Sequence, residues 1–271
     1  MPFHLPNFYG GLGNQLFSIV TMYSLSKKYN TTFSIDKNNT LSTGFVTNNV
    51  YFSVFQCMIQ SNSYLDQNDT LPVIHYTVEQ FKDYDFDTTL AHTHTIYLSG
   101  LPMKYSLFES YIDDIISIYH QYKQSIYPSL LQNIPRLCIA IRRFTSENST
   151  HWATSMEYYK KAIQYMSSYY KTCTIHIYTD TPNSSELIMP FIKDNFGDTV
   201  IDIKEFVGSK ESGSDIIHLF EMFDYDNYIL CNSTYHYWSA LLTTYANAIV
   251  TYPMDCEWYK HIASNKWIGI Q

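Results

Sequence analysis

Arginine is nearly missing from this 271-residue chain: Arg136, Arg142 and Arg143 are all it has. Lys and Arg together number 17 against 25 Asp and Glu, a formal net charge of −8. The clustered cations that grip nucleic acid or an anionic membrane surface are therefore wanting, and any phosphate must be held locally. Cysteine is sparse too. Cys57, Cys138, Cys173, Cys231 and Cys256 are odd in number, widely spaced and without a C-x-x-C pair, which argues against a disulfide framework or a zinc site and for a reducing compartment. No apolar run approaches the ~20 residues that cross a bilayer, and no basic-then-apolar leader opens the chain. The expectation is a cytoplasmic protein with no membrane span and no nucleic-acid partner. Neither a G-x-S-x-G elbow nor a G-x-x-x-x-G-K-[ST] loop occurs, which removes α/β-hydrolases and P-loop NTPases.

What is present is apolar and aromatic: 45% and 17% of residues, with 15% charged. That composition buries a core and is not that of a disordered chain, and the length suits two compact lobes. From Gly13, the residues Leu16, Ile19, Val20 and Tyr23 recur at helical spacing, and the helix closes on Lys27 and Lys28, where cations suit its dipole. Residues 32–35 form a short strand; 36–72 show little periodicity. Beyond residue 135 the pattern sharpens into strands at 137–141, 174–178, 199–203, 228–231 and 248–251. Between them lie helices: one opened by a Thr154–Glu157 capping box with Met156, Tyr159, Ile163 and Met166 on one face, one capped by Ser184 or Ser185, one over 215–223 and one near 235–245. Strands alternating with helices imply a parallel sheet that takes ligands beyond its carboxyl ends. The loops after Ile141, Tyr178 and Cys231 are where chemistry is expected. The lobe boundary is placed near residue 134, between Pro128 and Pro135.

Several groups could carry that chemistry. Gly10, Gly11 and Gly13, followed by Asn14 and Gln15, make a turn that lets a ligand approach the backbone and a helix N-terminus that favours anions. Without a ligand it is equally a tight turn, and Leu16 breaks the dinucleotide fingerprint. Arg142 and Arg143 close the strand 137–141. Arginine's rigid fork matches phosphate, although a structural ion pair would also explain the pair. Asn232, Ser233 and Thr234 precede a helix, as phosphate donors or as caps. Asp180 ends the strand at Tyr178, as an acceptor for a guanine edge or as a cap of the turn before Pro182. His92 and His94 are set aside as a metal pair. No metal is expected, and no D-x-D pair is read as one, so neutralising a diphosphate falls to arginine and helix dipoles.

These pieces, in this order, resemble the α-1,2-fucosyltransferase family, glycosyltransferase family 11. Gly10 to Phe17 match its N-terminal Gly-Gly-Leu-Gly-Asn-Gln-Met/Leu-Phe. Ala140 to Thr145 align with His-x-Arg-Arg-Gly-Asp, Tyr158-Tyr159 and Ala162 with Tyr-Tyr-x-x-Ala, and Thr179-Asp180-Thr181 with Ser-Asp-Asp. Asn232 to Trp238 align with Asn-Ser-Thr-Phe-Ser-Trp-Trp, and Pro253 and Trp258 have counterparts. The likeness spans nearly the whole chain, loosely over 36–130. It implies an α/β, GT-B-like architecture of two Rossmann-like lobes with parallel sheets and an interlobe cleft: residues 1–134 on the acceptor side, 135–271 binding the nucleotide sugar. It further implies GDP-fucose as donor, a glycan acceptor, no cofactor, no metal, and inverting α-1,2 transfer. Arg142 or Arg143 would stabilise the departing diphosphate, Ser233 and Thr234 would assist, and Asn14 stands in the glycine motif as a further candidate catalytic residue. Glu147, His151 and Glu157 are candidate bases, with nothing to choose among them. Ala140, Phe144 and Thr145 replace the family's His, Gly and Asp, which leaves open an inactive nucleotide-sugar- or glycan-binding module, or a transferase using another nucleotide-deoxysugar.

Overall fold

The computed structural model describes residues 3–5, 8, 10–35, 57–58, 72–77, 93–126, 134–143, 153–208 and 214–271. The chain divides into two compact units, Met1–Tyr122 and Lys123–Gln271, and residue 134 falls inside the second.

The first unit holds β1 (Phe3–Leu5), α1 (Leu12–Lys28), β2 (Phe33–Ile35), β3 (Val73–Thr77) and β4 (Thr95–Ser99), and most of α2 (Ile112–Ile126). Its strands are all parallel, in the order β2-β1-β4-β3. α1 is buried from Leu12 to Ser26 apart from Asn14, and Lys27 and Lys28 sit in its last turn as expected.

The second unit holds β5 (Arg136–Ile141), α3 (Met156–Ser167), β6 (Cys173–Thr179), α4 (Met189–Phe196), β7 (Val200–Val207), α5 (Ser214–Met222), β8 (Asn227–Ile229), α6 (Thr234–Leu241), β9 (Ile249–Pro253), α7 (Tyr259–Ile262) and β10 (Ile268–Ile270). All strands are parallel, in the order β10-β9-β8-β5-β6-β7. Counted from β5, this is the doubly wound order 3-2-1-4-5-6, whose direction of progress reverses between β5 and β8. On one face, Leu137, Ile139, Ile141, Ile175 and Ile177 pack on Tyr159, Ala162, Ile163 and Met166 of α3 and Ile192 and Phe196 of α4. Burying each such side chain contributes about 1.5–3 kcal/mol.

Several local expectations shift. Ser155, not Thr154, caps α3, accepting Tyr158 N–H at 3.2 Å. Met156 is exposed and Tyr158 takes its place on the buried face. Neither Ser184 nor Ser185 caps a helix: Ser184 Oγ donates back to Thr181 O, and a 3-10 turn over Ser184–Leu187 precedes α4. Among the described residues no helix is long and apolar enough to cross a membrane, and all five cysteines are free thiols.

Candidate functional site

The reversal point between β5 and β8 is where a doubly wound sheet opens a crevice beyond its carboxyl ends. Arg142 leaves β5 there. Its Nε lies 3.5 Å from Asp180 Oδ2, which stands just past β6, and its side chain is 40% exposed. The other oxygen of Asp180 accepts Arg143 N–H at 3.4 Å and the Thr181 hydroxyl at 3.2 Å. The carboxylate thus faces the arginine pair and its own turn. Arg143 itself is exposed.

Across the reversal point, β8 is followed by Cys231, Asn232 and Ser233. Asn232 N–H donates to Thr154 Oγ1 at 2.9 Å, which explains why Thr154 is not the cap. Asn232 Oδ1 accepts Trp258 Nε1–H at 2.7 Å and Cys256 Sγ–H at 3.1 Å. Three loops, before α3, after β8 and after β9, are thereby tied at one edge. Ser233 is the N-cap of α6 without a side-chain cap bond, and it is buried, whereas Thr234 is partly exposed. Tyr235 hydroxyl donates to Asp215 O, joining α6 to α5.

Arg142 acts electrostatically on both groups behind this loop. Burial, and then the Arg142 cation, push the fully enclosed His236 imidazole down to about 3. Cys231 Sγ lies 3.5 Å from His236 Nδ1, a spacing that invites a thiolate–imidazolium reading. Burial pushes the Cys231 thiol up despite Arg142, so both groups stay neutral and neither is an activated nucleophile.

The glycine turn lies in the first unit. Gly10 has φ +69°, the left-handed region, and a Cβ there would run into Asn14 Nδ2. Gln15 Nε2–H donates to Gly10 O at 3.0 Å and clips the turn. Gly11 is the N-cap of α1, bringing no side chain to cap it; Gly13 is buried and Asn14 partly exposed. Glu157 lies on the exposed face of α3, 3.6 Å from Lys161. Glu147, His151, Phe144, Thr145 and His92 are outside the described residues. Ala140 is fully buried, its carbonyl accepting Tyr159 hydroxyl at 2.9 Å.

A D-x-D spacing does occur at Asp224 and Asp226, and both carboxylates are engaged within the chain, Asp224 by a lysine and Asp226 by a backbone N–H. Asp224 pairs with the buried Lys123, and Asp226 accepts Arg136 N–H at 2.7 Å, at the amino end of β8. Among the described residues no group of three or more His, Cys, Asp or Glu side chains could hold a metal ion.

Thr154 and Trp258 were missed as site-building residues. The aligned Trp258 was visible in the sequence; Thr154 was masked by its capping-box spacing.

No known family profile matches the chain, and no curated protein sequence does. Solved structures do. Escherichia coli ADP-heptose lipopolysaccharide heptosyltransferase II superposes with a TM-score of 0.50 at 10% identity, over 99% of this chain and 90% of that one. Arabidopsis thaliana FUT1, solved as a mutant in complex with GDP, gives a TM-score of 0.48 at 11% identity, over 92% of this chain and 70% of that one. With its two parallel sheets, the chain has the α/β fold of GT-B glycosyltransferases.

Proposed function

We propose that the chain is a glycosyltransferase that binds a nucleotide-diphosphate sugar at the carboxyl edge of the six-stranded sheet. The observation that carries this is Arg142: in a chain with three arginines, one stands partly exposed at the sheet's reversal point, oriented by Asp180. A guanidinium fixed there offers paired donors to a diphosphate and opposes the charge that accumulates on it as the sugar departs. The partly exposed Thr234 at the start of α6 and the N-terminus of that helix add donors on the other side.

The finer reading follows the family resemblance: GDP-fucose as donor, a sugar hydroxyl of a glycan as acceptor, inversion to an α-1,2 linkage, and no cofactor or metal. Residues 135–271 take the donor in this reading and 1–134 serve the acceptor side, with Gly10, Gly11, Gly13, Asn14 and Gln15 as further candidate contacts to the nucleotide sugar. Of the three candidate bases, Glu157 lies beside Lys161 on the exposed face of α3, and Glu147 and His151 remain candidates alongside it.

The experiment is donor hydrolysis across a panel of nucleotide sugars, together with thermal melting in millimolar GDP, UDP, ADP and dTDP. GDP raises Tm through its preference for the folded state, and Arg142→Ala reduces the shift. Absence of any shift with every nucleotide defeats the proposal. One observation favours a second reading: Ala140, in place of the family's His, is sealed in the core and brings no polar group. Nucleotide binding with no hydrolysis or transfer from any donor would select a binding module.

A further inference from the structure

The proposed donor site has a second half on the same sheet face, two strands from Arg142. Ala140, Tyr178 and Phe206 are register partners across β5, β6 and β7, and register partners in a parallel sheet share a face. Two residues further, just past each strand, come Arg142, Asp180 and Gly208. Tyr178 and Phe206 stack with centroids 4.8 Å apart and planes 12° from parallel. His218 of α5 sets its ring edge-on to both, at 5.4 Å and 5.7 Å. Tyr178 is buried, whereas Phe206 and His218 stay partly exposed. Among the described residues β7 is the last strand of the sheet, and none of them forms a strand beside the ring face of Phe206 turned away from Tyr178. At Gly208 the row ends without a side chain. Of the described atoms, only Thr179 O, at 3.8 Å, lies within 4 Å of a Cβ placed there.

We propose that Phe206, backed by Tyr178 and flanked by His218 and the open position at Gly208, forms the subsite that takes the heteroaromatic base of the nucleotide. Three observations meet here. The stacked pair presents a rigid aromatic face, on which a base stacks whatever its sequence of ring atoms. The missing side chain at Gly208 leaves room, among the described residues, at the carboxyl edge. The offset also fits: β5 and β7 are two strand spacings apart, about 10 Å, comparable to the reach from diphosphate to base in an extended nucleoside diphosphate. The groups facing His218 are Tyr178 and Phe206 across the sheet and Glu221 and Asp215 on its own helix. Burial holds its imidazole below the ordinary value against the pull of those two carboxylates, so the subsite offers a neutral ring to a neutral base. The donor then lies along the edge with its base over β6 and β7 and its sugar toward β8 and β9.

This inference rests on the proposed nucleotide-sugar function, and the test separates the two. The affinities of GDP and inorganic pyrophosphate are measured by calorimetry for the wild type, Gly208→Leu, Phe206→Leu and Arg142→Ala. Gly208→Leu fills an open position and leaves the aromatic stack intact. It is expected to weaken GDP at least about 10-fold and to leave pyrophosphate within about 2-fold. Phe206→Leu is expected to cost GDP about 5-fold or more, the lower end of a base-stacking contribution. Arg142→Ala weakens both ligands. A double-mutant cycle between positions 142 and 208, read on GDP alone, is expected to be additive, as for separate subsites. GDP affinity unchanged in Gly208→Leu and Phe206→Leu, or GDP and pyrophosphate weakened by equal factors, overturns the base subsite and leaves the function standing. No affinity of the wild type for either ligand overturns the function itself.

Discussion

Asp180 Oδ2 lies 3.5 Å from Arg142 Nε, and this contact helps join the ends of β5 and β6 beside the point where the sheet reverses. Both side chains are more than a third exposed, 40% and 48%, and an exposed ion pair contributes no more than about 1 kcal/mol to stability. A stability role therefore does not account for it; orientation of the guanidinium does. Asp180→Ala is expected to shift the unfolding free energy by less than about 1 kcal/mol while GDP affinity falls several-fold. Urea unfolding alongside a GDP titration checks this. A large stability loss with unchanged affinity would mean that the carboxylate serves the fold alone.

Arg142→Lys keeps the charge and loses the fork. Because lysine cannot present paired coplanar donors, nucleotide binding is expected to survive in weakened form while donor turnover drops by about 100-fold, the order lost with one donor to a developing charge. Steady-state hydrolysis of the best donor, with kcat and KM separated, makes the measurement. A kcat equal to that of the wild type would place the leaving group elsewhere.

Much of the second unit was legible because its strands are short apolar runs with helices of clear period between them. Leu137 to Ile141 and Ile175 to Ile177 bury one face on α3 and α4, and the chemistry falls past their carboxyl ends. The capping box misled by one residue, since Thr154 and Ser155 are chemically interchangeable caps and only the tertiary partner, Asn232 N–H, tells them apart. The first unit was harder. β1 is three residues long, and β3, at the sheet edge, only half-buries its two inward residues, Ile74 and Tyr76. α2 was overlooked although Ile112, Ile115, Ile116 and Tyr119 carry helical spacing and Asp113 and Asp114 fill its first turn. Phe206, Gly208 and His218 had no signal at all: their meeting depends on strand register, which the sequence does not display.

The shift in cap can itself be tested. Ser155→Ala removes the bond to Tyr158 N–H and is expected to cost about 1 kcal/mol, seen as a lower Tm with the site unaffected. Thr154→Ala leaves α3 capped but strands Asn232 N–H, so its effect should appear in GDP affinity. The reverse pattern would restore Thr154 as the cap.

Acid should destabilise the fold before its carboxylates protonate. His236 and His176 are held down to about 3 and about 4, in each case first by burial and then by an arginine, Arg142 and Arg136 respectively. Between pH 6.5 and 5 the unfolded chain therefore takes up protons that the native chain refuses. The stabilisation is complete above pH 6.5 and lost as pH falls, at about 1.4 kcal/mol per pH unit for each histidine once the unfolded imidazole is protonated. Unfolding free energies measured across that window should fall, and His236→Asn should flatten the slope. A stability independent of pH between 6.5 and 5 would show that the two imidazoles are hydrated in the native state.

The bond from Trp258 Nε1–H to Asn232 Oδ1 provides the last test, because it can be removed without removing the ring. Trp258 stacks on Tyr259 with centroids 4.0 Å apart and planes 23° from parallel, and Tyr259 hydroxyl in turn donates to Cys231 O at 2.8 Å. Trp258→Phe preserves most of that packing and deletes only the donor, leaving Cys256 Sγ–H, a weak one, on Asn232 Oδ1. Stability is expected to fall by about 1 kcal/mol, the net worth of one hydrogen bond. If Asn232 is held so that the start of α6 faces the diphosphate, GDP affinity falls as well, and Asn232→Asp, which keeps an acceptor for Trp258 but adds a negative charge beside the phosphates, weakens GDP further than Trp258→Phe does. Should Asn232→Asp bind GDP as tightly as the wild type, the diphosphate does not lie over the end of β8, and the reversal-point site loses one of its two walls.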